Sequence, residues 1–147
     1  MRDTMPVGEP GYHEINAGPH LLVLFNPDRS RPHEPPGIKR PSIVVAVAGQ
    51  AEQSIRLDPF DVDPHYHVNP VGGLGQIRLE VGEGSTPLDS ALAFFELEKF
   101  LDLLDDADEG ETANKIWNDL IPVEEGEVKD DYLAAAAAQI RQIAAAA

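Results

Sequence analysis

The rhythm of hydrophobic positions changes near Ser85. Before it, short apolar runs and two-residue alternation dominate. After it, apolar residues recur every three to four positions. The run His20-Leu21-Leu22-Val23-Leu24-Phe25, stopped by Asn26-Pro27, predicts a buried strand. Residues 42–48 are β-branched and apolar on both faces, as in a central strand. Gly49-Gln50 then predicts a tight turn, and residues 53–58 alternate like a strand with one wet face, which makes a hairpin. Residues 76–81 alternate again, with Ile77, Leu79 and Val81 expected on the core side. Residues 1–19 read as an irregular arm with a short strand near Tyr12 to Ile15. The five prolines in residues 26–41 predict a long loop.

Thr86 as N-cap, Pro87 at the first helical position and Asp89 in a capping box predict a helix running to about Asp106. A shorter helix is expected over residues 111–121, with Ile116, Trp117, Leu120 and Ile121 on its apolar face and Pro122 as its stop. Asp130 or Asp131 opens a third helix through the alanine-rich C-terminus, where Leu133, Ala136, Ile140, Ile143 and Ala147 line one side. Strands first and helices after give an α+β fold. The expectation is an antiparallel sheet of four or five strands, with two or three C-terminal helices on one face or end. The chain reads as a single domain over residues 1–147: an arm over 1–19, a mainly β part over 20–81 and a helical part over 86–147.

Charge narrows the partners. The net charge is −15. Residues 1–81 hold seven basic and ten acidic side chains, a net of −3, whereas residues 82–147 hold four and sixteen, a net of −12. Such a surface repels nucleic-acid backbones and anionic membranes, so neither is an expected partner, while a basic protein or a cation is allowed. The proline-rich loop runs against this trend, with Arg29, Arg31, Lys39 and Arg40. The absence of cysteine excludes disulfides, thiolate catalysis, zinc–cysteine sites and iron–sulfur clusters. No apolar stretch approaches the roughly 20 residues of a membrane span, and residues 1–11 lack the apolar centre of a secretory signal; a cytoplasmic location is the expectation.

Candidate chemistry gathers in residues 58–70. If this segment were extended, Asp61, Asp63, His65 and His67 would project to one side and Phe60, Val62, Tyr66 and Val68 to the other. A His-x-His pair on a strand lets two imidazoles meet one ion, and nearby carboxylates complete the shell or orient a ring; Zn, Ni, Cu or Fe(II) suits such donors. The opposing reading is a turn at Asp63-Pro64, with Phe60 and Tyr66 anchoring the loop and both histidines capping backbone or facing water. His13, His20 and His33 are available as a third ligand, and spacing selects none of them. Residues 71–75 lack the dinucleotide-loop spacing, residues 105–116 lack oxygen donors at calcium-loop positions, and no serine sits in a nucleophile elbow.

Asp61-Val62-Asp63-Pro64-His65-Tyr66-His67-Val68-Asn69-Pro70, followed by a glycine-rich stretch and a leucine-rich helix, resembles an uncharacterised bacterial family marked by a D-P-H-Y-H-x-x-P motif ahead of a C-terminal helix. The resemblance spans residues 42–105. It implies no activity and no catalytic residue, only that the histidine pair is a family feature.

Two functions follow as expectations. The first is a small acidic accessory domain without catalytic activity or cofactor, which docks a protein partner or a second copy through Leu133, Ala136, Ile140 and Ile143. The alternative is a metal-binding protein, or a small metal-dependent hydrolase, holding one ion such as zinc at His65 and His67 with Asp61 or Asp63. A third, weaker expectation is a small-molecule pocket lined by Phe94, Phe95 and Trp117.

Overall fold

A computed structural model of the chain describes residues 2–72, 75–121 and 131–147. The loop expected over residues 123–126 and the helix stop at Pro122 lie outside the described residues, as do Gly73 and Leu74 of the glycine-rich turn. Six strands form one sheet: β1 (His13–Ile15), β2 (Leu21–Asn26), β3 (Ser42–Val47), β4 (Ile55–Asp58), β5 (His65–Val68) and β6 (Ile77–Arg78). They lie in chain order, and each pairs antiparallel with the next. The sheet is therefore a meander, built from short local connections. The short N-terminal strand appears at His13–Ile15, and the strand beyond the expected count is β5, formed by the histidine segment.

Among the described residues, four helices follow: α1 (Pro87–Leu92), α2 (Leu97–Asp106), α3 (Gly110–Leu120) and α4 (Tyr132–Ala146). The single helix expected to reach Asp106 is broken. Phe94 N–H and Phe95 N–H donate three residues back to Ala91 and Leu92, and Glu96 is extended. The break lets two adjacent aromatics pack inward, Phe94 against Tyr66 and Phe95 against Phe100. On one continuous helix, neighbouring residues would diverge by about 100°. Thr86 does cap α1, its hydroxyl accepting from Asp89 N–H at 3.1 Å. Asp131 caps α4, accepting from Leu133 N–H and Ala134 N–H at 3.1 Å each.

The helices cover one face of the sheet. Val23, Phe25, Ile43, Val45, Ile55 and Leu57 pack there with Leu92, Phe95, Phe100, Leu104, Ile116, Leu133 and Ile140. Gly18 leads into β2 in the left-handed region, at φ +86°, and a Cβ there would come 2.6 Å from the Tyr132 ring at the start of α4. The other face carries a smaller cluster of Met5, Leu24, Val44 and Ala46, with Tyr12 and Leu22 against it. Residues 2–5 cross that face as a strap. Met5 N–H donates to Ala51 O at 2.7 Å, Gln53 N–H donates to Asp3 O at 2.8 Å, and Thr4 bridges Glu52. Beyond Arg78 the chain leaves the sheet. Leu79 turns into the core, while Ile77 and Val81 stay exposed, contrary to the alternation read over residues 76–81.

Candidate metal centre

The register between β4 and β5 builds the centre. Ile55 and Leu57 lie opposite Val68 and Tyr66, whereas Arg56 and Asp58 lie opposite His67 and His65. Antiparallel partners share a face. The first set packs toward the helices; the second occupies the outer face. Four polar side chains are thereby brought together beside the strap.

Asp58 is the hub, with no solvent exposure. Its Oδ1 accepts from Ser42 Oγ at 2.9 Å. Its Oδ2 accepts from Arg56 Nε at 3.1 Å and lies 3.1 Å from His65 Nε2. His67 Nε2 is 3.4 Å from the same oxygen, long for an aligned hydrogen bond. Arg56 also reaches outward, donating from Nη1 to Asp3 Oδ2 at 3.1 Å. His65 Nδ1 is 2.8 Å from Asp63 O, which fixes that nitrogen as the protonated one and turns Nε2 toward Asp58. Phe60 lies edge-on to His65, with centroids 5.2 Å apart, and the two imidazoles are edge-to-face at 5.0 Å.

Burial pushes the Asp58 carboxyl up, but the contacts from His65 and His67 and the charges of Arg56 and Arg29 outweigh it and hold the group well below the usual carboxylate range. The Asp58 hydrogen bond raises His65 above its ordinary value, against the opposing effect of burial, and the Asp63 carbonyl helps. Three donor atoms, one each from Asp58, His65 and His67, all lie within 4.8 Å of one another. Ligand atoms on a tetrahedral ion with bonds of about 2.0–2.1 Å sit roughly 3.3–3.4 Å apart, close to the two His–Asp separations here.

Both sequence-selected histidines are present in this cluster; the two sequence-selected carboxylates are not. Asp61 instead accepts from Lys39 N–H at 3.1 Å, and its own N–H donates to Lys39 O at 3.0 Å, so it clamps the proline-rich loop. Asp63 turns the chain at φ +57° and offers its carbonyl, while its carboxylate is not among the three donors. The turn reading was right about Asp63-Pro64 and about His65 meeting a backbone carbonyl, but both histidines are buried. The alternation of Arg56 with Leu57 and Asp58 on one strand, and of His65 with Tyr66 and His67 on the next, was the signal that could have found Asp58. Of the remaining histidines, His20 pairs with Asp119 at 2.6 Å, far from the centre in the fold, and His13 and His33 are exposed.

In the stripe expected to dock a partner, Leu133, Ala136 and Ile140 are fully buried in the protein's own core, and Ile143 packs against it. The aromatic pocket is corrected. Phe95 is core, Trp117 is 41% exposed, and Phe94 lines a cleft of about 250 Å³ with Tyr66, Leu79 and Ala93. Among the described residues, no helix is long and apolar enough to cross a membrane.

No family model, no curated protein and no solved structure matches this chain.

Proposed function

We propose that the protein binds one transition-metal dication through Asp58 Oδ2, His65 Nε2 and His67 Nε2. The observation that carries this reading is the convergence of three donor atoms from two paired strands, two of them held from behind. Ser42 orients the carboxylate and the Asp63 carbonyl orients His65. Backbone carbonyls and hydroxyls are the usual outer partners of metal ligands. Two imidazoles and a carboxylate suit zinc or Fe(II), and three protein donors leave a position for water or an oxyanion, which the ion would activate or polarise.

Protein purified without an affinity tag and titrated with Zn²⁺ and Co²⁺ should take up about one equivalent, with a tetrahedral Co²⁺ absorption band. His65→Gln and Asp58→Asn should each weaken uptake by at least about tenfold. Asp61→Asn should leave it unchanged. Absence of stoichiometric uptake, together with an unaltered melting temperature in excess metal, would sink the reading.

A further inference from the structure

We propose that the cleft where the broken helix meets the sheet edge is a binding site for a free α-amino acid with an aromatic side chain. It uses none of the three donors of the metal centre, so it stands or falls apart from that reading.

The floor of the cleft is apolar and largely aromatic. The break at residues 93–96 turns Phe94 onto Tyr66 of β5, with ring centroids 5.2 Å apart and planes tilted by 56°. Both rings are only partly buried, and the buried Leu79 completes the floor beside them. Rings left part-open in a concave surface are stabilised by a further ring laid against them, in the offset or edge-on arrangements that aromatic pairs prefer. The cleft measures about 250 Å³, below the roughly 300–1,000 Å³ of sites for drug-sized ligands, which suits a molecule with a single ring.

The rim carries both signs of charge. Leu79 N–H donates to Pro64 O at 3.1 Å, which fixes the segment just past β6. Its two neighbours, Arg78 and Glu80, are exposed and both border the cleft. Among the described residues, neither side chain has a hydrogen-bond or ion-pair partner, and they do not pair with each other. Lys99 of α2 is the third charge on the rim, but Glu96 Oε2 lies 3.4 Å from its Nζ and offsets it. One open guanidinium and one open carboxylate remain above the rings. A simple anion there is repelled by Glu80, and a simple cation by Arg78. A zwitterion satisfies both, its carboxylate on the Arg78 fork and its ammonium on Glu80. An α-amino acid carries those two groups on one carbon and leaves its side chain to lie on Tyr66 and Phe94.

The test is titration of phenylalanine, phenylpropionate and phenethylamine into the full chain at neutral pH and constant ionic strength, followed by amide and side-chain NMR shifts. Phenylalanine should bind saturably and move the signals of Tyr66, Ala93 and Phe94. Each analogue, which lacks one of the two charges, should bind at least about tenfold more weakly. Substitutions on the rim should give a crossed pattern. Arg78→Gln should weaken phenylalanine about tenfold and leave phenethylamine no weaker; Glu80→Gln should weaken phenylalanine by a similar factor and leave phenylpropionate no weaker. Lys115→Gln, at an exposed position outside the cleft lining, should change nothing. No saturable binding of phenylalanine, or an equal loss in Lys115→Gln, overturns the site. Either analogue binding as tightly as phenylalanine overturns the zwitterion assignment, and leucine binding as tightly overturns the aromatic one.

Discussion

Asp58 and His65 hold each other in opposite protonation preferences, which gives the pair a defined pH window. The Asp58 pKa is lowered on folding, so its contribution to stability is present above its unfolded value near 3.8 and is lost as pH falls toward the folded one. The His65 pKa is raised on folding, so its contribution is complete below its unfolded value near 6.5 and is lost as pH rises through the folded one. Metal-free protein should therefore be most stable between these limits. Urea denaturation of the wild type and of His65→Gln across pH 3–9 should show the difference shrinking at the alkaline end. A gap that persists undiminished above that limb would contradict the His65 assignment. Zinc affinity should run the other way and fall with acidification, because the ion competes with the His65 proton.

At the scale of elements, the last helix is a structural member. Leu133→Ala should cost about 2–5 kcal/mol by denaturant titration, whereas Trp117→Ala, on the exposed side of α3, should stay within about 0.5 kcal/mol. Equal effects would mean the two helices are packed otherwise. Much of this layer was legible in the sequence, because local chemistry decides it. The β-branched run of β3, the Thr86-Pro87 start and the Asp131 cap are each set by residues within a few positions. The break at residues 93–96 was not legible, since it depends on where Tyr66 and Phe100 wait to receive two neighbouring rings. Nor was the carboxylate that meets the histidine pair. Asp61 and Asp63 are nearer to the histidines along the chain, but it is the hairpin register that brings Asp58 to His65. The α4 stripe was correctly located, yet its destination was a property of the assembled sheet.

For the molecule as a whole, the two halves differ in electrostatic character as they do in secondary structure. The helical part carries most of the negative charge, and sixteen acidic side chains against four basic ones repel one another. Added salt should relieve this, so the melting temperature should rise between low and physiological ionic strength in a non-binding buffer. A melting temperature that falls with salt would show that attractive pairs dominate instead. The sheet half carries a net charge of only −3 over residues 1–81.

One guanidinium is shared between a strap and a hub. Peeling residues 2–5 off the outer face would take Asp3 with them and leave Arg56 to Asp58 alone. The histidines would then compete with a full positive charge for the same oxygen. Through that one side chain, the position of the strap is translated into the appetite of the buried trio for a cation, without any helix having to move.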